Sequence, residues 1–288
     1  MKIIEPKVEI WEQPKGIEGI YKQIERAGRV RYKSENHITE DSAKPFVERM
    51  IKSKHYAMLE HGTVYLSIPN THVNEDLLQE LIYNKFTHWC KPLGAHCLNF
   101  STNLRVLVEK DLWDTCKQYV CDYDEGFFSG DRRVTVHFTT QIAVSREANR
   151  HRADSIAEQS TRYCNYSKDK FGGEIAINKP SWIVDDNFVH SLSYDPANML
   201  DPVEVWWAAN AYAEACYMRL LQLGWKPEQA RVVLPLDTNT ELVHTAFVSD
   251  WLHFFDLRAL NKTGKAHPDM IKVAKPLYEE FKKRGYIK

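Results

Sequence analysis

The run Arg150-His151-Arg152-Ala153-Asp154-Ser155-Ile156-Ala157-Glu158-Gln159-Ser160-Thr161-Arg162-Tyr163 is the most informative part of the chain. It gathers three arginines, a histidine, a glutamate and several hydroxyls in a protein whose formal net charge is -1. Guanidinium groups are forked, permanent donors, and short hydroxyl side chains fill the gaps between them, which is the donor set a phosphate requires. His151 adds a flat ring able to stack on a heterocycle. The residues just before the run read as a helix from about Thr140. On it, Arg146 and Arg150 lie four apart and share a face, and Glu147 and His151 share the adjoining one. A solvated charged face is the ordinary meaning of such spacing. Arg152, Arg162 and the Ser160-Thr161 step follow so closely that an anion site is the expectation here.

The chain has 288 residues, 43% hydrophobic and 27% charged, which is ordinary globular usage and enough for one large domain or two small ones. Anion affinity must therefore come from local clustering, because the basic excess of proteins that live on nucleic-acid backbones is missing. The six cysteines include no Cys-x-x-Cys pair, so free thiols are expected rather than a disulfide framework. No apolar signal core opens the sequence, and no stretch approaches the roughly 20 apolar residues of a membrane span. A soluble, cytoplasmic protein without a membrane or nucleic-acid partner is expected.

Outward from the run, the pattern predicts helices over 17–28, after Ser42, over 74–86 and over 111–120. Strands are predicted at Thr63–Ile68, stopped by Pro69, at Leu104–Val108 and at Arg133–Phe138. A turn-rich connection covers 122–126. A helix feeding an extended polar loop is expected over 140–174, closed by Gly172-Gly173. Asp201 and Pro202 start a helix that ends at Gly224. A short one runs from Pro227 until Pro235, a strand is expected at 240–248, and a helix capped by Ser249 should reach Leu260. Interleaved strands and helices without repeats predict a single α/β or α+β domain over residues 1–288.

Two further constellations bear on chemistry. Trp251, Phe254 and Phe255 form an i, i+3, i+4 apolar stripe that Arg258 continues at i+7. A buried arginine requires a partner, so Arg258 is either in an ion pair, with Asp250 or Asp256 the nearest candidates, or aimed at an anionic ligand. Arg231 is likewise a lone charge in the apolar run Ala230–Pro235. His55, Glu60 and His61, and separately His88, Cys90, His96 and Cys97, are residue types that ligate zinc, but their spacing shows no convergent third ligand. There is no Gly-x-Gly-x-x-Gly, no P-loop, and no cysteine after a proline.

The Arg-His-Arg element followed after seven residues by Ser160 is similar to the signature of the flavin-dependent thymidylate synthases. Glu158, Arg162 and Tyr163, Leu59-Glu60-His61, Ala230-Arg231-Val232-Val233-Leu234-Pro235 and Leu257-Arg258 extend the likeness over nearly the whole chain. A segment at about 69–130 is longer than in compact members. The resemblance implies a central, mainly antiparallel sheet flanked by helices, a family-specific fold rather than a Rossmann one. It also implies a homotetramer that binds FAD between subunits and converts dUMP to dTMP. Methylenetetrahydrofolate would be the one-carbon donor and NADPH the source of electrons.

By position, the resemblance assigns Glu60, Arg150, His151, Arg152, Glu158 and His253 to the flavin. It assigns Glu147, Arg150, Glu158, Gln159, Ser160, Thr161, Arg162, Arg231 and Arg258 to dUMP. Arg258 would be the catalytic group, stabilising charge on the uracil ring, and Ser160 a ligand rather than a nucleophile. His55 and Tyr163 fall on the folate side, and no metal is implied. The chain departs from the family at Glu147, where many members carry glutamine, and at Phe247-Val248-Ser249, where some have an Asn-x-Arg flavin contact. Two readings from other classes stand beside this one: a non-catalytic nucleotide- or RNA-binding module resting on the arginines, and a zinc hydrolase resting on the His/Cys/Glu clusters.

Overall fold

The computed structural model describes residues 1–128, 132–184 and 195–288. Along them run β1 (Lys2–Ile4), β2 (Lys7–Trp11), α1 (Gly16–Tyr32), α2 (Ala43–Lys52), β3 (Thr63–Pro69), α3 (Glu75–Ile82), β4 (His88–Cys90) and β5 (Cys97–Asn103). Next come α4 (Leu104–Glu109), α5 (Trp113–Cys116), β6 (Val120–Cys121), α6 (Glu125–Phe128), β7 (Arg133–Gln141), α7 (Ile142–Ala148) and β8 (Ser155–Glu158). The carboxyl-terminal part holds β9 (Ala176–Asn178), α8 (Pro202–Gln222), α9 (Pro227–Ala230), β10 (Asn239–Phe247), α10 (Val248–Arg258) and α11 (Pro268–Lys283).

The architecture is mixed and mainly antiparallel. One four-stranded sheet has the order β2-β7-β10-β8, a second has β4-β5-β3-β6, and β1 and β9 form a short parallel pair. The second sheet is built chiefly from the segment that the family resemblance marks as long. β7 is central in the first sheet and all nine of its residues are buried. Val134, Val136 and Phe138 alternate onto the face covered by α10 and α11, where Trp251, Phe254, Phe255 and Phe281 are fully buried. Gln141, at the end of β7, donates to the carboxylate of Asp269 in the first turn of α11 (2.8 Å).

Several elements differ from the sequence expectation, each for a local reason. Leu104–Val108 is helical, not a strand. Asn103 ends β5 and its side-chain oxygen accepts from the Val106 amide (3.2 Å), so a capped turn overrides the valines' β preference. The first helix continues past Gly28 to Tyr32 and turns at Lys33 (φ +48°). Gly28 serves packing instead: a Cβ there would lie 2.6 Å from the Phe46 ring of α2. Ser155–Glu158 is a strand inside what reads as polar loop, because its alternate residues Ser155 and Ala157 are buried against β10. Phe247, not Ser249, occupies the N-cap position of α10, which has no side-chain cap. α11 lies beyond the last helix that the periodicity reading assigns.

The aromatic cluster under β7 should dominate stability. Phe255→Ala is expected to cost about 3–5 kcal/mol in urea denaturation, the range for truncating a fully buried phenylalanine. A loss below about 1 kcal/mol would show that the cluster does not organise the sheet.

Candidate active site

The signature run sits where α7, β8 and the loop after it meet β10, and it borders two separate clefts. The first encloses about 630 Å³ and is lined by Arg31, Arg146, Glu158, Gln159, Ser160, Thr161, Arg162, Arg231 and Thr240, with apolar walls from Ile142, Val232, Leu234, Pro235 and Leu236. Arg231 donates to the Thr161 hydroxyl (3.1 Å), and Arg162 lies 3.5 Å from Glu228. The Ser160 amide is tied to the Arg31 carbonyl (2.9 Å), and the Ser160 carbonyl accepts from the Tyr163 and Cys164 amides. This folds the Ser-Thr-Arg step into a tight turn. Four guanidinium groups therefore face one carboxylate, Glu158, across an open cavity, which is a cationic cleft suited to a phosphate.

Glu158 is already well provided with donors. Its Oε1 accepts from Ser145 (2.7 Å) and Thr240 (3.2 Å), and its Oε2 from Asn149 (2.9 Å). Gln159 lines the cleft but is largely buried, and its amide reaches the Tyr166 hydroxyl (3.4 Å).

The second cleft, about 160 Å³, is lined by Arg150, His151, Arg152, Asp154, Asp250, His253, Leu257 and Arg258. Arg258 bonds Glu147 through both its carboxylate (2.8 Å) and its carbonyl (3.2 Å), and its Nε donates to His151 Nε2 (3.2 Å). Its ion-pair partner is thus neither Asp250 nor Asp256, the latter being paired with Lys262. Glu147 accordingly acts as a clamp on Arg258. His151 is nearly buried, edge-on to Phe254 (4.9 Å), which leaves little ring face for stacking. Burial pushes its pKa down to about 4, so the ring is neutral and free to accept from Arg258. Arg150 and Arg152 are exposed and have no side-chain partner among the described residues.

The four arginines expected to converge therefore divide within one chain. Arg162 and Arg231 line the first cleft, Arg150 and Arg258 the second. Asp154, just before β8, and Glu158, at its end, mark the two sites, roughly 13 Å apart at about 3.3 Å per residue. Arg146 and Arg150 also part company, because α7 ends at Ala148.

A third cleft of about 420 Å³ brings together His55 and Tyr163, with Lys54, Tyr56 and Arg105. It shares Arg31 and Arg162 with the first. Glu60 does not join Glu158: its carboxylate is paired with Arg105 and its carbonyl accepts from the buried Arg133 (3.2 Å). His61 is buried against the Thr245 hydroxyl (2.9 Å). His55, Glu60 and His61 thus turn to three different places. Among the described residues, no three His, Cys, Asp or Glu side chains gather as metal ligands would.

Sequence reasoning missed Arg31, although the signal exists. It lies at i+7 from Ile24 and i+4 from Ala27, on the buried stripe of α1, the same position that drew attention to Arg258. It also missed His244, which alternates with the buried Leu242 and Ala246 on β10.

Residues 132–284 match the family model described as thymidylate synthase complementing protein, more than half of the chain, and the chain belongs to that family. A probable flavin-dependent thymidylate synthase of Paramecium bursaria Chlorella virus 1 is 27% identical over 154 residues, 51% of this chain and 67% of the relative. The flavin-dependent thymidylate synthase of Thermosipho melanesiensis is 32% identical over 125 residues, 43% of this chain and 53% of that protein. The chain thus spans about half to two thirds of the length of these curated relatives. A crystal structure of the UMP/dUMP methylase PolB from Streptomyces cacaoi, with 5-Br dUMP, covers 98% of this chain and 93% of its own at 18% identity and a TM-score of 0.45.

Two buried histidines set a pH dependence. His61 is held down to about 3 and His151 to about 4 from an ordinary 6.5, in both cases chiefly by burial. The unfolded chain protonates them near 6.5, whereas the folded chain resists until far lower. Their contribution is therefore complete above about pH 6.5 and is lost as pH falls toward 4 and 3. Urea midpoints should decline across that window, and His151→Asn should flatten the upper part of the slope.

Proposed function

We propose that this protein catalyses reductive methylation of dUMP to dTMP, using methylenetetrahydrofolate as one-carbon donor and FAD reduced by NADPH. Membership of the family supports this reading, and the cationic cleft of Arg162, Arg231, Ser160 and Thr161 is the single structural observation that carries it. In this reading that cleft takes the nucleotide phosphate, Glu158 borders it, and the third cleft, with His55 and Tyr163, is the folate side.

The second cleft fits the flavin by its donor set. Arg150 and Arg152 offer unpaired guanidinium groups suited to a diphosphate, with His151 and His253 beside them. Its volume holds only part of a dinucleotide, which ordinarily occupies several hundred Å³. A homotetramer would supply the remainder and would set the second cleft of one chain against the first cleft of another, reuniting Arg258 and Arg150 with Arg162 and Arg231. Helix α8 supports self-association. Only Asn210 and Tyr217 of its 21 residues are buried, although it is rich in Val, Trp, Ala, Tyr and Leu. Residues 1–288 are read as one domain, with the 69–130 segment a variable addition.

When bound, the flavin supplies the two electrons that turn the carried methylene into a methyl group. The chain's own part is electrostatic. Uracil carbon becomes nucleophilic only as charge builds on the ring, and Arg258, held in place by Glu147 and the neutral His151, is a prearranged cation for that charge. Ser160 has no base bonded to its hydroxyl among the described residues, consistent with a binding role.

Purified protein should show flavin absorbance, and NADPH should bleach it when dUMP is present. Colourless protein that binds RNA in a salt-sensitive way would instead favour the nucleic-acid reading. Arg258→Ala should remain folded and yellow while kcat falls about 10²–10³-fold, the usual loss when one charge-stabilising donor is removed. Near-normal turnover would overturn its role.

A further inference from the structure

One buried hydrogen-bond chain runs from Asp154, just before β8, to Glu158 at its end, through His244 and Asn149. His244 of β10 is fully buried between Phe138 and Trp251. Its Nδ1 lies 2.8 Å from Asp154 Oδ2, and its Nε2 lies 3.3 Å from Asn149 Oδ1. Asn149 in turn donates from Nδ2 to Glu158 Oε2 (2.9 Å). Asp154 borders the second cleft and Glu158 the first.

The direction of these bonds follows from chemistry. A carboxylate can only accept, so Asn149 must turn its amino group toward Glu158. Its oxygen then faces His244, and an oxygen there demands a proton on Nε2. Nδ1 faces a second carboxylate, which demands a proton between His244 and Asp154 as well. His244 thus lies between two acceptors, one at each ring nitrogen. The other charged or titratable groups acting on the pair, among the described residues, are Arg133, Asp250 and His151 toward Asp154, and His151 and His61 toward His244.

We propose that Asp154 and His244 are positioning residues: the protonated pair locks the Asn149 amide one way round and thereby aims the Glu158 carboxylate in the first cleft. Removal of the Nε2 proton would set a lone pair against the amide oxygen. Asn149 would then have to turn over, and Glu158 would lose its donor. Protonation beside the second cleft is in this way transmitted to a side chain of the first. The functional part of the inference rests on reading the first cleft as the nucleotide site, whereas the protonation state of the pair does not.

The test combines ¹⁵N NMR of histidine-labelled protein, assigned with His244→Gln, and calorimetric titration with dUMP. At near-neutral pH the wild type should give both His244 ring nitrogens in the protonated range. Asp154→Asn should abolish that signature, while Asn149→Ser should keep it. Both should weaken dUMP binding about tenfold, as for loss of one charge-assisted hydrogen bond. A merely structural role would lower thermal stability in Asn149→Ser without changing dUMP affinity. A singly protonated His244 in the wild type, or Asn149→Ser binding dUMP within twofold of the wild type, would overturn the proposal. Should Asp154→Asn fail to fold, Asn149→Ser decides alone. Failure of the wild type to bind dUMP would sink the reading of the first cleft, and the NMR signature would still decide the pair.

Discussion

The nine-residue antiparallel ladder between β7 and β10 is the constraint on which both candidate sites depend. Its register runs from Gln141 opposite Asn239 to Arg133 opposite Phe247. Each strand passes directly into a helix, α7 after Gln141 and α10 after Phe247. Because the strands are antiparallel, these helices leave opposite ends of the ladder and run back toward each other, about 10 Å and about 16 Å long. They meet near their carboxyl ends, where Arg258 grips Glu147. A slip of one residue would exchange the two faces of β7, setting Thr135 and His137 where Val134, Val136 and Phe138 pack on α10 and α11, and break that meeting as well.

Electrostatics then refine what the ladder positions. Arg258 is only partly exposed, so leaving it unpaired would be costly, and a neutral His151 together with Glu147 answers that need. The first cleft follows the opposite policy, with four guanidinium groups around a single lining carboxylate. One site is internally balanced around its key cation, and the other carries a positive surplus.

Much of this was legible in the sequence, and the failures are instructive. The capped helix at Asp201-Pro202, the strand at Thr63–Pro69 and the Arg133 strand are written in local signals of capping and alternation, and all three appear. Ser155–Glu158 escaped because a four-residue edge strand owes its state to β10, far away in sequence. Leu104–Val108 escaped because one asparagine side chain outweighed the strand preference of Val106 and Val108. Among the site residues, Ser160, Thr161, Arg162 and Arg231 come together as the motifs suggested, and so do His55 and Tyr163. The separation of Arg150 and Arg258 from that group was invisible, since a motif records spacing along the chain and not the length of strand that pulls its halves apart. The engagement of Gln159 with Tyr166 and of Glu60 with Arg105 depended on partners that no spacing rule reaches.

Arg162 belongs to the walls of two cavities at once, and its guanidinium also leans on Glu228 and over the Tyr163 ring (5.2 Å). A single cation cannot serve every neighbour fully. An anion that drew it toward one chamber would draw it away from the tyrosine in the next, which would couple the two compartments through one side chain.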